Sequence, residues 1–134
     1  MAVIYAIIRY WDRNINGGVI LEAIDIARRA VEIGSDKQAE NILLLDARRA
    51  CNFTDYMVIL TGESDRQINS IRDEIVHSLK QSGVYARGVE GDASSGWILL
   101  DYVDAVVHIF APAEREYYQL DSIWPEANPV VHIQ

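Results

Sequence analysis

The segment Thr61-Gly62-Glu63-Ser64-Asp65 has the residue types of a phosphate-binding turn between a strand and a helix. Such a junction offers backbone N–H groups and the positive end of the helix dipole to an anion. However, Glu63 and Asp65 place two negative charges where a phosphate would lie, and no Asp-x-Asp pair follows on a strand. A single carboxylate holds Mg²⁺ poorly without substrate phosphates. We therefore interpret the segment as a capped helix start and keep nucleotide transfer as an alternative.

The other candidates for chemistry are isolated in the sequence. Asp101 and Asp104 flank a short turn, and a turn explains both, because Asp side chains bond nearby backbone N–H groups. Cys51 has no histidine near it in sequence, and three scattered histidines with one cysteine do not form a zinc pattern. The sequence therefore predicts no catalytic residue, no cofactor and no metal site.

The segment Gly96–Phe110, followed by Arg115-Glu116-Tyr117-Tyr118, carries a different signal. Its residues are typical of two strands rich in β-branched and aromatic side chains, joined by an acidic turn and followed by a short helix. Trp, Tyr and Arg are the residues that most often anchor protein interfaces. Because large apolar groups occur here without a nucleophile, a base or a metal set, we interpret the segment as a docking surface.

Individual side chains of this segment leave alternatives open. Trp97 opens a strand after a Gly- and Ser-rich loop, so it suits either the core or an interface. Strand alternation places His108 on the face of Phe110, where a hydrogen-bonded structural role is the simpler interpretation and an interface role the alternative. Tyr117 and Tyr118 are adjacent, so at least one of them must be exposed.

The composition restricts the class of protein. A chain of 134 residues, half of them hydrophobic, fits one domain that buries roughly two-thirds of its unfolded surface. No apolar run approaches the ~20 residues of a membrane span, and a single cysteine fits a reducing cytosol. The net charge of −8 argues against direct nucleic-acid binding, which requires clustered Lys and Arg. An acidic surface suits a basic protein partner or serves solubility alone.

Hydrophobic spacing predicts the elements that position these residues. A helix begins near Val19 and ends at Gly34, and a second helix starts with a capping box of Ser64 and Gln67. The second helix ends before Gly83, which suits a left-handed residue. Short apolar runs predict strands at Asn41–Asp46, Asp55–Thr61 and Val84–Val89.

The element order predicts an α/β fold with helices packed on a small mixed sheet of about five strands. Short connections make the first two strands and the last two antiparallel pairs, whereas the second helix can join strands two and three as a parallel pair. We assign residues 19–134 to one domain. Residues 1–18 form an N-terminal extension that suits either an added edge strand or a tail and is left unassigned.

A set of short motifs runs in order along residues 19 to 125: Thr54-Asp55-Tyr56, Thr61-Gly62 with Ser64, Arg66-Gln67, Glu90-Gly91, Gly96-Trp97, Leu100-Asp101-Tyr102, Asp104, Val107-His108, and Arg115 with Tyr118, Leu120 and Trp124. In this order and spacing they resemble the Iojap family, the ribosomal silencing factors called RsfS in bacteria. One departure is Val103, where the family usually has Gly. If that position requires a positive φ, a β-branched residue fits it badly and the turn is expected to differ in shape.

The resemblance implies a fold related to nucleotidyltransferases and a cytoplasmic factor without enzymatic activity. Such a factor binds the large ribosomal subunit through its interface-side protein fourteen, sterically blocks subunit joining and represses translation. Carried over by position, the partner-binding residues are Trp97, Asp101, Tyr102, His108, Arg115 and Tyr118. The alternatives are a nucleotide-using transferase-like enzyme and a homodimeric interaction module without a ribosomal role.

Overall fold

A computed structural model describes residues 21–134 as helices and strands of one mixed sheet. In chain order the elements are helix α1 (Ala23–Asp36), strands β1 (Glu40–Asp46) and β2 (Tyr56–Thr61), helix α2 (Asp65–Gln81), strands β3 (Gly88–Asp92), β4 (Trp97–Asp101) and β5 (Ala105–Phe110), helix α3 (Pro112–Tyr118) and strand β6 (Asn128–Ile133). The extension at residues 1–18 lies outside the described residues, so its assignment stays open.

The sheet contains six strands in the order β3-β4-β5-β2-β1-β6. The β2–β5 pair is parallel and the other neighbouring pairs are antiparallel. The predicted α/β class and both predicted antiparallel pairs are confirmed. The parallel partner of β2 is β5, however, and not the third strand. The reason is burial: β5 is buried along its whole length and suits a central position, whereas β3 is mostly exposed and forms an edge.

The third strand differs from its predicted bounds, and a further strand is present that the sequence did not predict. The third strand begins at Gly88, not at Val84, because the chain from Val84 to Arg87 connects α2 to the sheet edge. The sixth strand, β6, was not predicted. It carries Pro129, which has no backbone N–H, and Pro is tolerated in a sheet at an edge strand such as this one.

The sheet has a different covering on each face. Helices α1 and α2 pack on one face and enclose the larger core, which includes Leu44, Val58 and Leu60. Alternation turns Leu43, Met57 and neighbouring side chains to the opposite face, where a smaller core forms beneath the segment after β5. Among residues 21–134, short segments of chain cover the second face and no long helix packs on it.

Helix α1 continues past the predicted end at Gly34 and stops at Asp36. Gly34 is buried inside the helix, and a Cβ built on it would lie 2.9 Å from Cδ2 of Leu60 on β2. The glycine therefore allows a close approach of helix and sheet and does not terminate the helix. At the end of α2, Gly83 has the expected left-handed conformation, with φ of +80°.

The turn between β4 and β5 contains Val103 with φ of +72°, so the unfavourable conformation expected for a β-branched residue is present. Asp101 supports the turn, because its Oδ1 accepts a hydrogen bond of 2.8 Å from the N–H of Val103. The interpretation of Asp101 and Asp104 as turn residues is confirmed. The expected difference in turn shape from other family members stays a prediction.

We predict that Val103→Gly stabilises the protein by about 1 kcal/mol, because relief of the left-handed strain exceeds the entropy that glycine adds to the unfolded chain. Thermal unfolding should show a rise of about 3 °C in Tm. Val130→Gly is the matched control: its side chain is 44% exposed against 45% for Val103, but it lies in strand β6. The control should lower Tm, and a loss of stability in both variants would contradict the prediction.

Candidate partner-binding site

Aromatic side chains from β4, β5 and α3 meet on the second face of the sheet. We call Trp97, His108, Phe110, Tyr117 and Tyr118 the aromatic cluster. The β4–β5 register pairs Trp97 with Phe110, and their ring centroids lie 4.9 Å apart. Helix α3 follows β5 directly and brings the Tyr118 ring to 4.7 Å from Trp97. Phe110 is fully buried, Trp97 is half-buried and both tyrosines are exposed, which confirms the expectation that at least one tyrosine is exposed.

A groove of about 300 Å³ runs beside the aromatic cluster, lined by Glu90, Gly91, Ser95, Trp97, Leu99 and Tyr118. Position 91 on β3, which forms one wall of the groove, requires glycine. Gly91 has φ of +81°, and any Cβ there would overlap the carbonyl oxygen of Trp97. Apolar rings with an acidic residue at the rim give this groove the character of a protein-binding surface rather than of a reaction site.

His108 is the buried polar member of the aromatic cluster. Its side chain is buried, with 4% exposure, and its Nδ1 accepts a hydrogen bond of 3.1 Å from Nε1–H of Trp97. Burial lowers the pKa of His108 to about 4, so the imidazole is neutral at pH 7. The simpler interpretation from the sequence, a hydrogen-bonded structural histidine, is confirmed.

Arg115 is also buried and holds α3 to the sheet. Its Nη1 donates to the carbonyl of Asn41 at 2.5 Å and to Oγ1 of Thr61 at 3.0 Å. Its Nε and Nη2 donate to both carboxylate oxygens of Asp121 at 3.3 and 2.7 Å. All three guanidinium nitrogens therefore donate inside the molecule, and the Arg115 side chain is only 8% exposed.

Asp101 and Tyr102 lie at the other end of β4 from Trp97. Asp101 Oδ2 accepts a hydrogen bond of 2.6 Å from Arg87. Burial acts to raise the pKa of Asp101, but the hydrogen bonds from Arg87 and Val103 outweigh it and hold the pKa below its usual value. Tyr102 is buried, and burial raises the pKa of its hydroxyl to about 12.

The six partner-binding residues inferred from the resemblance thus do not share one surface. Trp97, His108 and Tyr118 are in contact, but Tyr102, His108 and Arg115 are buried and present almost no area to a partner. Motif position does not reveal burial, because alternation fixes the face of a side chain and not what covers that face. The sequence reasoning missed the pairing of Phe110 with Trp97, and the hairpin register was the signal for it.

The junction before α2 uses its own side chains where a phosphate would bind. Ser64 Oγ accepts from the N–H of Gln67 at 3.1 Å, as the predicted cap requires. Gln67 reaches back to the N–H of Glu63 at 2.6 Å, one residue before the predicted partner. The neighbouring carboxyl of Glu40 raises the pKa of Glu63 through a hydrogen bond and charge repulsion. Pre-occupied donors and two adjacent carboxyls make this junction a poor anion site.

Residues 21–134 carry the features of neither a metal site nor a membrane span. Within this range no group of three or more His, Cys, Asp or Glu side chains is arranged to hold a metal ion. None of the helices in the same range has the length and apolar character needed to cross a membrane.

The family model described as "Ribosomal silencing factor during starvation" matches residues 20–134. The chain belongs to this family. It is 37% identical over 102 residues to the ribosomal silencing factor RsfS of Bacillus subtilis, which covers 76% of this chain and 86% of that protein. It is 33% identical over 109 residues to the chloroplastic protein Iojap of Zea mays, which covers 81% of this chain and 45% of that protein.

The fold of the RsfS family is confirmed by a solved structure. The crystal structure of protein CV0518 from Chromobacterium violaceum superposes with a TM-score of 0.74 at 33% identity, covering 78% of this chain and 88% of that one. The resemblance inferred from the ordered motifs is therefore correct, and the family name describes a regulatory protein rather than an enzyme.

We predict that Arg115→Ala destabilises this RsfS-family domain by about 3–5 kcal/mol, because it leaves buried acceptors without their donor. Arg87→Ala is the matched control, since Arg87 also pairs with an aspartate but its side chain is 64% exposed against 8% for Arg115. The control should change stability by at most about 1 kcal/mol. Urea unfolding of the two variants measures both values, and equal losses would contradict the assignment of Arg115 as a buried tie.

We predict that stability falls between pH 6.5 and pH 4 because of His108. The unfolded histidine binds a proton below pH 6.5, whereas the folded one does so only near pH 4, so protonation favours the unfolded chain. The loss should reach about 3 kcal/mol over this range. Denaturant unfolding at a series of pH values measures it, and His108→Asn should flatten the curve. An unchanged slope in that variant would assign the pH dependence to other groups.

Proposed function

We propose that this chain binds the large ribosomal subunit through its interface-side protein fourteen and prevents the small subunit from joining. Family membership supports a ribosomal role, since the bacterial relatives are named ribosomal silencing factors. The observation that carries the proposal is the half-buried Trp97, held between Phe110 and Tyr118 beside an open groove. An aromatic side chain fixed before binding is the typical anchor of a protein interface.

The proposed mechanism is steric and requires no bond to be made or broken. A standard interface buries about 800 Å² on each partner. The described residues expose 7492 Å², so such an interface takes about a tenth of their surface. The remaining bulk of the domain then stands where the small subunit would meet the large one. Translation decreases because fewer ribosomes assemble.

Charge supports a basic protein as the partner. The chain carries a net charge of −8, and Glu90 lies at the rim of the groove. A ribosomal protein binds RNA and therefore carries clustered Lys and Arg. Its positive charge and the negative charge of this chain would accelerate the encounter and fix the orientation of the two proteins. The same charge disfavours direct contact with ribosomal RNA. We place this action in the cytoplasm, as expected for a factor of bacterial ribosomes.

Burial divides the six partner-binding residues into two roles. We propose that Trp97 and Tyr118 contact the partner directly, with Asp101 at the margin of the surface. His108 and Arg115 act from beneath, by holding the elements that carry the contact residues, whereas Tyr102 packs in the larger core on the opposite face of the sheet. The exposed Tyr117, whose ring stands at 88° to that of Tyr118, extends the contact surface.

We predict that Trp97→Ala weakens binding to the large subunit by about 2 kcal/mol or more, because an anchor and its contacts are lost. Co-sedimentation of the purified protein with separated subunits measures binding, and a subunit-joining assay measures the silencing effect. Val130→Ala is the control, since Val130 is an exposed apolar residue on β6, which three strands separate from β4. It should bind like the wild type.

The outcomes distinguish the proposed function from its alternatives. Binding to the large subunit alone, with fewer joined ribosomes, supports silencing. A folded Trp97→Ala variant with unchanged binding would remove Trp97 as the anchor. If the wild type sediments with neither subunit, the ribosomal role fails, and concentration-dependent sedimentation of the protein alone would then favour the homodimeric module.

A further inference from the structure

We propose that His108 is a positioning residue that sets the orientation of the Trp97 indole before the partner arrives. The inference deepens the proposed function and rests on it: the anchor is Trp97, and His108 acts only through that ring. It replaces the direct partner contact that the resemblance implies for His108. Burial already excludes a large contact by this side chain, so its contribution to binding must pass through a neighbour.

The sheet register brings the two side chains together. His108 pairs with Leu99 across the β4–β5 ladder, and Trp97 is the diagonal neighbour on the same face. Nε1–H of Trp97 then meets Nδ1 of His108 at 3.1 Å. An indole only donates, so Nδ1 must be the unprotonated nitrogen and Nε2 must carry the proton of the neutral ring.

The hydrogen bond selects one orientation that the other contacts leave open. Trp97 packs against Phe110 and Tyr118, with ring centroids at 4.9 and 4.7 Å. These apolar contacts depend on the ring faces and tolerate rotation about χ2, which has broad preferences for a terminal ring. The two orientations of the indole, related by a flip about χ2, differ in where the N–H edge points. Among the described residues, His108 accepts the hydrogen bond from this N–H.

The orientation also determines what the partner meets. With the N–H turned inward and satisfied, the exposed part of the indole is apolar and needs no acceptor opposite it. A complementary surface is then an aliphatic or cationic side chain laid on the ring, which suits a basic protein. His108 stays a reliable acceptor at neutral pH because its burial keeps the ring uncharged.

Two substitutions at His108 separate the acceptor from the volume it fills. His108→Asn keeps an acceptor, since Oδ1 of asparagine takes the place of Nδ1, whereas His108→Leu removes it. We expect His108→Leu to weaken binding to the large subunit roughly fivefold to tenfold, the range of one hydrogen bond. His108→Asn should stay within about threefold of the wild type, on the same scale.

A double-mutant cycle tests whether the effect passes through Trp97. Trp97→Phe keeps a ring but has no N–H, so His108→Leu should cause no further loss of affinity in that background. An equal loss in both backgrounds would overturn the proposal and show that His108 acts on the domain as a whole. A Trp97→Phe variant that binds like the wild type would overturn it as well.

A spectroscopic measurement decides the inference without ribosomes. In ¹⁵N-labelled protein the Trp97 indole signal is assigned as the one lost in Trp97→Phe. Its N–H should exchange slowly with solvent in the wild type and in His108→Asn, and faster in His108→Leu. If the wild type fails to bind the subunit but the exchange pattern appears, the proposed function fails and the positioning role stands. An indole that exchanges rapidly in the wild type would overturn the positioning role itself.

Discussion

The buried guanidinium of Arg115 is the interaction on which the second face of the sheet depends. Helix α3 has seven residues, too few to be stable without tertiary contacts. Arg115 fixes it by donating to Asn41 on β1, Thr61 on β2 and Asp121 in the following turn. Asn41 takes a left-handed conformation, with φ of +50°, and its carbonyl accepts one of these bonds. Once α3 is fixed, Tyr118 at its end is fixed as well.

The two faces of the sheet are covered differently, and the proposed contact surface lies on one of them. Helices α1 and α2 close one face over a continuous apolar core. The other face is covered by short segments, and part of it ends in half-buried and exposed aromatic rings. On this face hydrogen bonds order the side chains, because the thin covering layer buries too little apolar area to order them by packing alone. The proposed recognition depends on this arrangement, because a helix packed over this face would cover the aromatic rings.

Local patterns predicted well wherever a few neighbouring residues decide the outcome. The cap at Ser64, the left-handed Gly83 and the exposure of Tyr117 and Tyr118 follow from short-range geometry and are confirmed. Long-range strand pairing was less predictable. The parallel neighbour of β2 is β5, the later strand that is buried along its whole length, and local patterns do not reveal that burial. The candidate site shows the same difference between local and long-range prediction. The composition of its segment predicted where the site lies. The burial of Arg115 was not predictable, because its partners are more than fifty residues away in the sequence.

The start of α2 also uses internal polar groups, in the place where a phosphate-binding helix would leave them free. A free helix N-terminus attracts a phosphate because its N–H groups lack partners. Here Ser64 satisfies the N–H of Gln67 in the first turn. The Gln67 side chain accepts from the N–H of Glu63, just before the cap, and donates to the carbonyls of Lys37 and Gln38. The junction thereby joins α2 to the loop after α1 and serves rigidity. The proposed steric mechanism requires a rigid body and a pre-formed contact surface, and internal polar groups provide rigidity both at this junction and around Arg115.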